Sequence, residues 1–250
     1  MNVSLYQAAA ALNANSRWQE IISGNLASSS IPGFKKQELS LAAVRAGLMP
    51  SSNLGDSNLP QNFSIPKASS TTSFLSGEMQ STENKNNVAI EGKGFFSVQL
   101  PNGSTVFTRD GEFQTNSRGQ LVTKEGYTIL GESGPINLDT TSRAPMSISA
   151  SGEVSQGADT KGKVKVTEFE KPQLLTQISG AYFAATDPSI TTVPSTSTLR
   201  QGYLEGSNTS VVGEMANMMT AMRSFEANQH IIQIQDDRLG KTISELGNPT

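Results

Sequence analysis

The chain has 250 residues, a net charge of −3, no cysteine and no block of Lys or Arg. Without cysteine there are no disulfides, no thiolate catalysis and no Cys-based zinc site, and without a basic block there is no phosphate-neutralising surface for nucleic acid. Hydrophobic residues make up 35%, aromatics 6% and charged residues 16%, which predicts small cores joined by polar extended segments rather than one large core or a disordered chain.

Residues 2–29 contain no Pro and one Gly. Leu5, Ala8, Leu12, Asn15, Gln19, Ile22 and Leu26 recur at steps of three and four, which predicts a helix with a coiled-coil-like seam. The stretch SSSIPGF (28–34) stops it, because Pro32 and Gly33 cannot continue a helix. This region lacks the basic start and apolar middle of a secretory signal, and no apolar run reaches the roughly 18 residues that span a membrane. The expectation is a protein that stays in the cytoplasm or leaves by a route that reads another signal.

Residues 36–87 and 179–206 are rich in Ser, Thr, Asn and Gly and read as extended polar connectors. Between them the period shortens to two. Residues 88–131 alternate in short runs broken by Pro101-Asn102-Gly103, Asp110-Gly111 and Glu125-Gly126, which predicts an antiparallel meander with hairpin turns at those places. Further strands are expected near 147–150, 164–169 and 174–178.

The C-terminal end returns to the helical period. Val211, Met215, Met218, Met222, Phe225, Gln229, Ile232, Asp236, Leu239, Ile243 and Leu246 keep the three–four step over five heptads. Asn208 or Ser210 is placed to cap the start, and Gly247-Asn248-Pro249 ends the run. At ~1.5 Å per residue such a helix is roughly 54 Å long. The predicted fold class is therefore α+β. Long terminal helices (1–35 and 205–250) pair as a coiled coil, connectors follow (36–87 and 179–204), and a central antiparallel all-β domain fills 88–178.

Motifs for chemistry fail on context. GADTKGKV (157–164) matches a phosphate loop at Gly157, Gly162 and Lys163, but Val164 stands where Ser or Thr must hold magnesium, and a strand pattern follows instead of a helix. A Gly-rich hairpin turn is expected there. Asp110 and Glu112 flank a turn glycine and are expected to point to solvent. His230 is the only histidine and has no second ligand or triad partner in the sequence. No catalytic residue, cofactor site or metal site is assigned, and no small-molecule substrate is implied.

The informative features are the two ends. Two helices packed on each other bury one side each, and Met219, Ile231 and Ile234 widen the C-terminal apolar face as Trp18 and Ile21 widen the N-terminal one. Apolar surface left over in this way predicts association between chains. Four of the eight methionines fall within residues 215–222, where three flexible torsions let a side chain adapt to non-identical neighbours.

Three stretches resemble the flagellar axial proteins, the rod and hook subunits of the bacterial flagellum. GNLASSSIPGFKK (24–36) resembles the N-terminal signature at Asn25, Leu26, Ala27, Pro32, Gly33, Phe34 and Lys35, and departs at Ser28 and Ile31. LEGSNTSVVGEMANMMTAMRSFEANQ (204–229) resembles the C-terminal signature, with Glu205, Asn208, Glu214, Met215, Met218, Arg223 and Asn228 among the matches and Thr209, Met219 and Phe225 as departures. Residues 89–132 resemble the family's β domain. The resemblance implies subunits that stack helically into a hollow tube and transmit torque, with terminal helices lining the inside. It implies partners in other copies, other rod subunits and the flagellar export apparatus, and export without a cleaved signal into a periplasm-spanning rod. The length fits a rod rather than a hook subunit, and the stretch WQEIISGNLA with the short region after GFKK resembles the proximal rod protein of the short type; the alternatives are a distal rod or hook-type subunit, or a rod-associated cell-wall hydrolase. The expected assembly residues are Leu5, Leu12, Ile22, Asn25, Leu26, Pro32, Gly33, Phe34, Met215, Met218, Met222, Phe225, Ile232 and Leu239.

Overall fold

The computed structural model describes residues 3–49, 61–142 and 144–247. The chain divides into two compact units. One comprises Met1–Leu26, Gln37–Thr71 and Val211–Thr250; the other comprises Ala27–Lys36 and Thr72–Ser210.

The first unit holds α1 (Val3–Ala27), β1 (Gln37–Met49), β2 (Gln61–Thr72) and α2 (Val211–Gly247). Both helices fall where the three–four spacing places them. α2 runs 37 residues, or about 55 Å at 1.5 Å per residue. β1 and β2 pair as a two-stranded sheet, and the Ser69 hydroxyl donates to the Ser40 carbonyl across it. This ribbon occupies much of the polar stretch expected only to be extended. Of its described apolar residues, Leu41 and Val44 are both exposed, so no covered face marks it in the sequence there.

The second unit is built from strands. In chain order they are β3 (Met79–Ser81), β4 (Val88–Glu91), β5 (Phe95–Gln99), β6 (Thr105–Thr108), β7 (Phe113–Thr115), β8 (Leu121–Thr123), β9 (Thr128–Gly131) and β10 (Gly134–Pro135). They continue with β11 (Met146–Ile148), β12 (Glu153–Gln156), β13 (Asp159–Lys163), β14 (Val166–Phe169), β15 (Thr176–Ser179), β16 (Tyr182–Ala184), β17 (Thr192–Val193), β18 (Thr198–Gln201) and β19 (Tyr203–Glu205). The main sheet runs β15-β16-β6-β5-β9-β8-β7, with β10 on β9 and β14 bridging β5 to β17. Smaller sheets are β11-β12-β13, β18-β4 and β19-β3, and the described pairings are antiparallel.

β5 sets up the core. Phe95 and Phe96 are adjacent, so their side chains leave opposite faces of the strand. Phe96 enters a cluster with Val88, Ile90, Val98, Phe113 and Ile129, all at most 1% exposed. Phe95 enters a second cluster with Phe169, Leu175 and Phe183. Its ring meets Phe74 edge-on at 5.7 Å and Phe183 at 6.0 Å. Two small cores back to back fit the low aromatic content of the chain.

The turns at Pro101-Asn102-Gly103 and Glu125-Gly126 join paired strands as expected, with Gly103 and Gly126 at φ +84° and +86°. Gly157 at φ +68° turns β12 into β13, which is the hairpin expected in place of a phosphate loop. Asp110-Gly111 is different. The strands on either side of it, β6 and β7, are not neighbours in the sheet, so no hairpin forms there. Gly111 serves a close approach instead: its carbonyl accepts from Val88 N–H at 3.0 Å, and a Cβ would lie 1.7 Å from the Val88 oxygen. With no turn to lift it into solvent, Asp110 is 5% exposed, which corrects the solvent-facing expectation.

The polar stretch after residue 179 also carries strands. β18 pairs with β4 and buries Leu199; β19 pairs with β3 and buries Leu204. One buried leucine per strand is too little to produce a readable alternation.

Candidate assembly site

In the strand-bearing unit, the two stretches that resemble family signatures meet. Residues 28–34 form a compact turn in which Ile31 N–H donates to the Ser28 carbonyl and Phe34 N–H to the Ile31 carbonyl. Gly33 then takes φ +68°, and its N–H donates to the Glu205 carbonyl at 2.7 Å. A Cβ on Gly33 would sit 2.3 Å from the Arg109 carbonyl carbon, so both the angle and the space require glycine. Pro32 is half-buried and Phe34 is 4% exposed.

The next residue, Lys35, is fully buried, and its ammonium lies 2.6 Å from Glu205 Oε1. Glu205 Oε2 takes Arg109 Nη1 at 3.0 Å. Backbone supplies further partners: Lys35 Nζ donates to Leu75 O at 2.8 Å, Arg109 Nη2 to Gly92 O at 2.9 Å, and Gly77 N–H to Glu205 Oε1 at 2.9 Å, while Arg109 Nε is buried without a partner among the described residues. The Arg109 guanidinium also stacks over the Phe95 ring at 4.9 Å. Burial pushes the Lys35 ammonium below its ordinary pKa; Glu205 pulls it back up and Arg109 pushes it down. One carboxylate thus pairs with two cations from distant segments. Removing it would leave two buried charges, at a cost of about 3–5 kcal/mol.

Asn208 extends the same junction. Its Oδ1 accepts from Lys36 N–H at 2.8 Å, and its Nδ2 donates to Ser73 O at 2.9 Å and Leu75 O at 3.1 Å. The Asn208 side chain is therefore a staple between backbone segments rather than a helix cap. Lys35, Arg109 and Glu205 are buried and paired with one another, which leaves this cluster a structural role.

In the helical unit, Asn25 is 2% exposed and grips the start of β1. Its Oδ1 accepts from Gln37 N–H at 2.9 Å and its Nδ2 donates to Gln37 O at 2.8 Å, so one amide imitates a strand neighbour. Ile22 is 1% exposed, Leu12 and Leu26 are half-buried, and Leu5 lies in α1 with its side chain outside the described residues.

On α2 the seam divides. Met218, Phe225 and Ile232 are half-buried, but Met215, Met222 and Leu239 are 54%, 51% and 43% exposed. The covered stripe is Glu214, Met218, Ala221, Phe225, Asn228, Ile232 and Gln235, again in four–three steps. It lies one position beside the predicted seam and shares three residues with it. The spacing alone could not choose between adjacent stripes, since apolar residues continue round the helix. The outer stripe beside it carries Met215, Met219 and Met222, and Ile231, Ile234 and Ile243 are exposed at other angles round the helix.

Sequence reasoning therefore placed Asn25, Pro32, Gly33 and Phe34 among interface residues, while the structure places Asn25, Gly33 and Phe34 in the interior of the chain. It matches Lys35, Glu205 and Asn208 to the signature stretches and offers Asn208 as a helix cap, but it gives Arg109 no role and does not foresee that these residues meet. A buried Lys and a buried Glu carry a signal, but only as a pair, and the pair is 170 residues apart.

Comparison with known proteins bears on both regions. Residues 89–156 match the model of the flagellar hook protein FlgE/F/G D1 domain, and residues 200–245 match that of the flagellar basal body rod FlgEFG protein C-terminal region. The chain is 34% identical to the flagellar basal-body rod protein FlgG of Buchnera aphidicola subsp. Schizaphis graminum, over 97% of this chain and 99% of the relative. It is 32% identical to that of Borreliella burgdorferi over 95% and 96%, and 30% identical to the flagellar basal-body rod protein FlgF of Escherichia coli K12 over 96% and 97%.

Proposed function

Because the chain belongs to the flagellar basal-body rod protein family, as a structural subunit and not an enzyme, we propose that it assembles helically through its terminal helices and carries torque. The observation that carries this proposal is the outer stripe of α2. A single chain leaves Met215, Met219 and Met222 more than half exposed, and an apolar edge of that kind gains free energy only when another surface covers it.

In the proposed rod, α1 and α2 pair as a coiled coil whose covered stripe faces inward and whose methionine edge meets other copies and other rod subunits. Leu12, Ile22, Leu26, Met215, Met218, Met222, Phe225, Ile232 and Leu239 make that contact or back it. Asn25, Gly33 and Phe34 serve it from inside, by fixing the backbone that leads into and out of the helices. The subunit reaches a periplasm-spanning position through the flagellar export apparatus, without a cleaved signal. A place in the proximal rod rests on the N-terminal stretch alone, since the relatives named FlgG and FlgF are both matched nearly end to end.

Deletion of the gene tests the reading. Rod growth is expected to stop and motility to be lost; motile cells with complete basal bodies would contradict it.

A further inference from the structure

A pocket of about 270 Å³ opens in the strand-bearing unit beside β15. Its walls include Ile31, Leu100, Val106 and Ala181, and its polar side chains are Asp110, Glu125, Tyr127, Ser179 and Tyr182. No Lys, Arg or His lines it. Of the cations adjacent in sequence, Arg109 is paired with Glu205, and Lys124 is 63% exposed and paired at 3.3 Å with Glu112. The volume lies below the about 300–1,000 Å³ of small-molecule clefts and suits one long side chain.

Asp110 is the group that calls for an occupant. It is 5% exposed, yet it forms no salt bridge among the described residues. One of its oxygens accepts from Glu112 N–H at 2.9 Å, and the other takes no hydrogen bond from any described residue. Glu125 accepts a hydrogen bond from the Tyr182 hydroxyl at the same pocket. Burial pushes the Asp110 carboxyl up to about 6, and the Glu112 N–H and the Lys124 charge offset that rise only in part. β15 ends the strand order of the main sheet, and Ile178 on it is 57% exposed at the pocket rim.

We propose that this pocket receives a lysine or arginine side chain from a neighbouring axial subunit, which neutralises Asp110 and Glu125. The apolar walls take the aliphatic stem and the carboxylates take the charged head. Ile178 supplies an apolar contact at the rim. This deepens the assembly reading and rests on it: the methionine edge holds the helices, and the acidic pocket adds a second contact in the β unit that selects partners by charge.

The test uses cells expressing the full chain. Asp110→Asn keeps the shape and removes the charge. The amount of variant recovered in isolated basal bodies is expected to fall at least about tenfold against wild type, as for a lost charged hydrogen bond. The purified variant should melt no lower than wild type, because the carboxylate is unpaired in the free chain. Unchanged incorporation would overturn the proposal, and so would a lower melting temperature, since Asp110 would then serve the fold. A photo-crosslinking amino acid at Ser179, on the rim, gives a second readout. Cross-links to a segment of another subunit bearing Lys or Arg are expected. Cross-links confined to the same chain, or to segments without a cation, would overturn it. Failure of the assembly reading itself looks different: wild-type chain would be missing from basal bodies.

Discussion

Lys35 and Glu205 stand 170 residues apart in the chain and 2.6 Å apart in the fold, both buried. Arg109 completes the contact from a third segment. The two signature-like stretches thus recognise each other inside one chain. Their polar residues hold the junction through which the chain passes from its N-terminal helix into the β unit and back to α2.

Glu205→Gln leaves both cations buried without their carboxylate. It is expected to cost about 3–5 kcal/mol, which for a protein of this size lowers the melting temperature by roughly 10 °C. Adding Lys35→Met should recover part of the loss, because the two residues are coupled. Thermal unfolding of the single and double variants followed by circular dichroism checks this; strict additivity would contradict it.

Gly33→Ala and Gly103→Ala both place a Cβ at positive φ, +68° and +84°. Around Gly103 there is open space, so only the backbone penalty of about 1–2 kcal/mol applies. At Gly33 the Cβ meets backbone at 2.3 Å and has nowhere to go. Gly33→Ala is therefore expected to unfold the junction or prevent expression of soluble protein, while Gly103→Ala stays folded. Denaturant titration of the two variants measures the difference.

Asn208→Asp keeps the acceptor for Lys36 N–H but loses both donors, setting a carboxylate against the Ser73 and Leu75 carbonyls. A loss of about 1–3 kcal/mol is expected, with faster hydrogen exchange at Lys36 and its neighbours. Asn208→Ala with unchanged exchange would show that the staple carries no stability.

Asp110 gives a pH dependence of definite sign. Its folded carboxyl holds a proton up to about 6, against 3.8 for the free side chain. Between those values the folded state binds more protons than the unfolded state, so this group's contribution to stability falls as pH rises and levels off above pH 6. The unpaired charge costs up to about 3 kcal/mol at neutral pH. Asp110→Asn should remove that portion of the dependence and raise stability at pH 7. Melting temperatures of both proteins from pH 4 to 8 read it directly.

How much of this could be read from the sequence depended on how local each feature was. The two helices, the hairpins at Gly103 and Gly126, and the turn at Gly157 are set by neighbouring residues, and all stand where the pattern placed them. Asp110-Gly111 has the composition of a hairpin, but its conformation is decided by Val88 passing within hydrogen-bond distance, which no local pattern records. β18 and β19 are equally non-local, since each is held by a strand more than a hundred residues earlier and buries one leucine. On α2 the period was legible and the covered side was not, because Met215 and Met218 are equally apolar and only packing distinguishes them.

The most direct test of the account concerns that exposed side. Cells whose only copy carries Met215→Ser and Met222→Ser are examined by electron microscopy of isolated basal bodies. The account predicts a purified variant that melts close to wild type, because these side chains are more than half exposed in the single chain, together with rods that stop short. Complete rods of normal length built with the variant would contradict assembly through this edge of α2.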